Sequence, residues 1–78
     1  MRETGYVVMG KPNCAGCEQA KALLEAKGEG YEYIDVMRSP EAQALFRERG
    51  FRSVPQIFLD GEHIPDGFNG LKKKLENT

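Results

Sequence analysis

The chain has 78 residues, 40% of them hydrophobic, and a net charge of −1 at neutral pH, which allows one small domain over residues 1–78 with a single core. Its apolar runs are too short to cross a bilayer, and no stretch of Lys or Arg is long enough to form a nucleic-acid groove. Two cysteines, Cys14 and Cys17, are separated by Ala15 and Gly16; a bridge between them closes too small a ring to serve mainly as a structural staple. The polar start Met1-Arg2-Glu3-Thr4-Gly5 leads into a strand without the apolar region or cleavage site of a secretory signal, so a cytoplasmic protein is expected.

Tyr6 to Met9 reads as a short strand, and Cys14 or Ala15 to Lys27 as a helix. That helix buries Ala20, Leu23, Leu24 and Cys17 and turns Glu18, Gln19, Lys21, Glu25 and Lys27 toward water. Gly28 fits the position just past the helix end, and a second strand follows from Tyr31 to Val36. Strand, helix and strand form a right-handed βαβ unit with parallel strands. Ser39-Pro40-Glu41 predicts a helix start, with the Ser hydroxyl as cap, Pro in the first turn and an acid at the positive dipole end. This helix runs to about Arg49, stops at Gly50 and buries Ala42, Leu45 and Phe46.

Gln56 to Leu59, Asp60-Gly61 and Glu62 to Ile64 predict a β-hairpin, because Asp-Gly supplies the positive φ angles of a tight turn. A last helix from about Phe68 to Glu76 turns Phe68, Leu71 and Leu75 inward and carries Lys72-Lys73-Lys74 as a solvated face. Tyr31, Tyr33, Phe46, Phe51 and Phe58 are expected in the core or at its edge, and His63 at the surface of a strand. The order βαβαββα, with neither repeats nor linkers, predicts an α/β sandwich: a four-stranded mixed sheet flanked by three helices.

The chemistry concentrates in Lys11-Pro12-Asn13-Cys14-Ala15-Gly16-Cys17, a redox dithiol at a strand-to-helix junction. With Cys14 at the N-cap, its sulfur lies where the N–H groups of Gly16 and Cys17 point, and the helix dipole favours the thiolate. Lys11 adds a positive charge nearby. Cys17 lies one turn on, close enough to complete a disulfide.

From Tyr6 to Leu75 the chain resembles a glutaredoxin, and so a minimal thioredoxin-like fold. Three segments carry the resemblance: Lys11-Pro12-Asn13-Cys14 with Cys17, Ser53-Val54-Pro55 ahead of the hairpin, and Gly67-Phe68-Asn69 at the start of the last helix. The resemblance implies a cis Val54-Pro55 bond that turns the Val54 backbone toward Cys14, where it pairs with glutathione or an extended protein substrate. Glutathione carries two carboxylates and an ammonium, which calls for cations and placed acceptors. Lys11 and Arg52 are assigned to its glycine carboxylate, and Asn69, with the N–H groups near Gly67 and Phe68, to its γ-glutamyl end. The simpler roles are solvated surface charges for Lys11 and Arg52 and a helix cap for Asn69; Arg38 and Arg49 are further cations.

The family pattern is altered at Ala15-Gly16, where Pro-Tyr is usual, at Pro65-Asp66, and at Asn69-Gly70. The implied activity is thiol–disulfide exchange, in a monomer: Cys14 attacks a disulfide, and Cys17 or glutathione resolves the mixed disulfide. Protein substrates of the ribonucleotide reductase kind are implied, with glutathione as co-substrate and no bound metal. Two alternatives remain: an electron donor served by thioredoxin reductase, and a dimer holding a two-iron, two-sulfur cluster through Cys14 and glutathione. A zinc site lacks ligands, since His63 is the single histidine and lies on the far hairpin.

Overall fold

A computed structural model describes residues 3–76; Met1 and Arg2 of the polar start lie outside the described residues. In chain order the elements are β1 (Tyr6–Gly10), α1 (Ala15–Ala26), β2 (Tyr31–Asp35), α2 (Pro40–Arg49), β3 (Gln56–Leu59), β4 (Glu62–Ile64) and α3 (Gly67–Glu76). The strands lie side by side as β2-β1-β3-β4. β1 runs parallel to β2, with Tyr6 opposite Tyr31 and Gly10 opposite Asp35. It runs antiparallel to β3, with Tyr6 opposite Leu59, and β3 pairs with β4 as a hairpin. The turn of that hairpin has positive φ at both Asp60 (53°) and Gly61 (84°), the geometry that the Asp-Gly pair was expected to supply.

Alternation along β1 builds the two sides of the core. Tyr6 and Val8 join Ala20, Leu24, Ile57, Ile64 and Leu71 between the sheet and the α1/α3 pair. Val7 and Met9 join Ala42 and Phe58 on the side of α2. All five residues of β1 are buried, as expected for a central strand covered on both faces.

Local signals set the helix ends. Ser39 Oγ accepts the N–H of Ala42 at 3.1 Å, and Gly50 closes α2 at φ 71°, so the cap and the stop lie where Ser39-Pro40 and Gly50 predicted them. At the end of α1, Gly28 (φ 72°) donates to Glu25 O and Glu29 to Leu24 O, the paired bonds of a Schellman ending. Three expectations need correction. Val36 lies just beyond β2, though its N–H still bonds Gly10 O at 2.9 Å. His63 is half-buried in β4, stacked on Phe51 with centroids 4.9 Å apart, because the loop after α2 brings that ring back over the hairpin. Asn69 sits inside the first turn of α3, so the cap role does not apply to it.

Candidate active site

β1 ends at Gly10, and the exposed residues Lys11, Pro12 and Asn13 carry the chain over the edge of the sheet into α1. Asn13 takes φ 60°, a conformation that Asn tolerates better than most residues. Cys14 follows as the N-cap of α1 in extended conformation, and its Sγ accepts the N–H of Cys17 at 3.2 Å. This is the cap role that Ser or Asp usually plays, taken by sulfur. The expectation named the N–H groups of both Gly16 and Cys17; the bond formed is that of Cys17.

Cys14 and Cys17 are joined as a disulfide, with Cα atoms 5.3 Å apart. The two sulfurs differ in access. Cys14 is half-buried, and Cys17 is 0% exposed, packed under β1. Burial at this depth requires Gly10: a Cβ there would lie 2.7 Å from Cys17 Sγ and 2.8 Å from the Tyr33 hydroxyl.

Across from Cys14, the Val54-Pro55 peptide bond is cis, and the Val54 carbonyl oxygen lies 3.8 Å from Cys14 Sγ. The loop thus presents Val54 backbone to the accessible sulfur, as expected. Pro55 is buried and fits between two glycines: Cβ atoms built on Gly16 and Gly67 would lie 3.2 Å from Pro55 Cδ and 3.2 Å from Pro55 O. Gly67 has φ 54°, so both its conformation and its contact favour glycine.

These segments enclose a groove of about 490 Å3 lined by Gly16, Gln19, Ser53, Val54, Pro55, Asp66, Gly67, Phe68 and Asn69. Of the residues assigned from sequence, Val54, Pro55, Gly67, Phe68 and Asn69 come together here. Lys11 and Arg52 do not line it. Lys11 borders a separate depression with Pro12, Asn13, Asp35, Met37 and Arg38, and Arg52 is exposed on the loop before Ser53. Arg38 lies 3.9 Å from Asp35, and Arg49 sits over the Phe51 and Phe58 rings, on the α2 side.

Gly16, Gln19, Ser53 and Asp66 line the groove without having been assigned to it. For Gln19 helical spacing held a signal, since it follows Gly16 by one turn on the same face. For Asp66 the Asp-Gly pair signalled a turn with positive φ, and the φ of 69° is there, but nothing local showed that this turn swings it into the groove ahead of α3. It is the one ionisable residue of the lining, so the groove carries an acceptor for a cation. The first N–H groups of α3 have no acceptor within the helix and suit an anion. Among the described residues no group of three or more His, Cys, Asp and Glu converges to hold a metal ion, and no helix is long and apolar enough to cross a membrane.

A family model described as glutaredoxin matches residues 6–64. The chain is 47% identical over 62 residues to a glutaredoxin of Neisseria meningitidis, covering 77% of this chain and 72% of that protein. It is 37% identical over 68 residues to the glutaredoxin-like protein NrdH of Escherichia coli, covering 87% and 79%. Against glutaredoxin 3 of Escherichia coli, identity is 34% over 55 residues, or 69% of this chain. That match spans 66% of glutaredoxin 3, just under two thirds of its length. Among solved structures, a buckwheat glutaredoxin–glutathione complex superposes with a TM-score of 0.78 at 28% identity, covering 94% of this chain and 69% of the other. The Escherichia coli NrdH-redoxin, described as having a thioredoxin-like activity profile, gives 0.77 at 28% identity, covering 90% and 92%.

Proposed function

We propose that this chain, which belongs to the glutaredoxin family of thiol–disulfide oxidoreductases and has its thioredoxin-like fold, reduces protein disulfides and glutathione mixed disulfides in the cytoplasm, with glutathione as electron donor. The observation that carries this reading is the inequality of two sulfurs at one helix start: Cys14 reachable and capped by an N–H, Cys17 sealed beneath it.

In the reduced protein the Cys17 N–H and the positive end of α1 stabilise a Cys14 thiolate, which is the nucleophile. It attacks one sulfur of a substrate disulfide, and the other sulfur leaves as a thiolate. Cys17 then attacks Cys14 Sγ, closing the Cys14–Cys17 bond and releasing the bound half of the substrate as a second thiolate; where that half is glutathione, free glutathione can instead attack the bound glutathione's sulfur, forming oxidised glutathione and releasing the Cys14 thiolate. Val54 backbone groups hold the substrate as an extended strand, with Pro55 and Phe68 as its apolar walls. Asp66 accepts the γ-glutamyl ammonium, the first-turn N–H groups of Gly67, Phe68 and Asn69 receive the neighbouring carboxylate, and Lys11 and Arg52 serve the glycine carboxylate from beyond the groove. A ribonucleotide reductase is the protein substrate proposed.

A second reading, a donor reduced by thioredoxin reductase, is favoured by one observation: the groove lining contains a carboxylate and no cation, a poor match for a ligand with two carboxylates. The test offers the oxidised protein to glutathione and, separately, to thioredoxin reductase with NADPH, following both cysteines by mass. Rapid reduction by glutathione, with a Cys14 mixed disulfide trapped in Cys17→Ser, is expected. Reduction by the reductase alone would replace the first reading with the second.

A further inference from the structure

Breaking the Cys14–Cys17 bond creates a problem at the buried end. When a thiol attacks Cys14 Sγ, the electron pair of the disulfide bond departs on Cys17 Sγ, which is 0% exposed. A thiolate in such surroundings is costly unless a donor meets it, because burial disfavours the charged form. Water has no approach to this sulfur, so the donor has to come from the protein.

The side chain in position is Tyr33. It stands opposite Val8 in the parallel β1/β2 pairing and packs against the cluster between the sheet and α1. A Cβ on Gly10 would lie 2.7 Å from Cys17 Sγ and 2.8 Å from the Tyr33 hydroxyl. Sulfur and hydroxyl therefore both border the space that a Gly10 side chain would fill, no further apart than the sum of those two distances, and no hydrogen bond joins them while the disulfide is intact. A disulfide sulfur is a weak acceptor, whereas a thiolate is a strong one.

The charged surroundings keep the phenol a donor. Lys21 Nζ lies 4.3 Å from the Tyr33 ring centroid and pairs with Glu18 at 2.9 Å; Asp35 is the other charge felt at the ring. Burial raises the Tyr33 pKa above its ordinary value while Lys21 opposes the rise, so the proton stays on oxygen at neutral pH.

We infer that the Tyr33 hydroxyl donates a hydrogen bond to the Cys17 thiolate, stabilising the buried sulfur both as leaving group when the protein is reduced and as attacking group when a mixed disulfide is resolved. In reduction by a thiol, the bond formed joins Cys14 to the incoming sulfur and the bond broken is Cys14–Cys17. The incoming thiol's proton passes to solvent, and the electron pair of the broken bond stays on Cys17 Sγ as a thiolate held by the Tyr33 O–H. The inference rests on the dithiol reading above.

The test titrates Cys17 in a Cys14→Ser protein by carbon-13 NMR of its labelled Cβ, which requires no turnover. Removing the hydroxyl with Tyr33→Phe is expected to raise the Cys17 pKa by about one unit, a tenfold loss of thiolate, as for a hydrogen bond to a charged group. In the two-cysteine protein the same substitution should slow reduction by glutathione about tenfold. Should Tyr33→Phe fail to fold, Tyr33→Gln, which keeps a donor, is compared with Tyr33→Met, which does not; the Gln protein is expected to titrate lower. Equal titration with and without the donor overturns the inference. Failure of the wild-type protein to exchange with any thiol would overturn the dithiol reading instead, and the titration would distinguish the two.

Discussion

On the α1/α3 side of the sheet, glycines admit close approach: Gly10 lies over the Cys17 side chain, and Gly16 and Gly67 close on Pro55. On the α2 side, rings fill the space, with Phe46 set edge-on to Phe51 at 5.3 Å, Phe51 stacked on His63 and Phe58 at the centre. The difference follows from what each side does. A sulfur that must meet another sulfur needs surroundings in which nothing protrudes, and glycine supplies them at the expense of buried area. The α2 side lies away from the groove beside Cys14, and there large aromatic groups fill the space, their burial stabilising a domain this small.

Substitutions on either side should therefore fail in different ways. Cys14→Ser is expected to abolish disulfide reduction by orders of magnitude while leaving the thermal midpoint of the reduced protein close to wild type; substantial remaining turnover with a protein disulfide would remove Cys14 from the nucleophile's role. Phe58→Ala, on the ring-filled side, should cost about 3–5 kcal/mol in urea unfolding. A loss under 1 kcal/mol would mean that the rings close over the gap and that this side is less tightly packed than its contacts imply. Gly67→Ala should cost about 1–2 kcal/mol, because alanine is strained at φ 54° and its Cβ meets Pro55 O. Exchange with glutathione should slow in the same variant, linking backbone space to chemistry; unchanged stability and rate would break that link.

The smallest effect is expected at His63. Burial, with the Arg49 charge second, holds its pKa below the ordinary value. The unfolded chain therefore binds a proton more readily than the folded one, and this contribution to stability is complete above the ordinary histidine value and lost as pH falls through the folded value. Melting curves across that range should fall toward acid in wild type and fall less in His63→Gln. Parallel curves would place the pH dependence elsewhere.

Much of the frame was legible from neighbouring residues alone. Ser39-Pro40, Asp60-Gly61 and the alternation in β1 each carry their signal within a few positions, and the structure follows them. Cys14 at a helix start was legible because a few contiguous residues determine it, whereas Val54-Pro55 opposite it was implied by the resemblance to glutaredoxins and by no local signal. The groove was not legible, because its lining is decided by how α1, the Val54 loop and the start of α3 meet. Asp66 enters through the positive φ that its Asp-Gly pair allows, but the pair does not say which groove the turned side chain reaches, and Lys11 belongs to a different depression because the chain turns away after Gly10. His63 read as a surface residue since nothing in its own strand told of Phe51 returning from the far end of α2. Strand alternation put Tyr33 in the core or at its edge, where it lies half-buried against the α1-side cluster, but could not show that its hydroxyl ends beside Gly10.

β1 is hydrogen-bonded on both flanks and buried along its whole length. Its amide protons should exchange with deuterium only through unfolding of the entire domain, whereas those of the exposed residues Lys11 to Asn13 need no such event. A map of exchange rates along the chain would thus drop from slowest to fast within the few residues between Gly10 and Cys14. The reactive sulfur would sit on a short mobile lip fixed to the most protected strand, free to accommodate substrates of different shape without loosening the frame behind it.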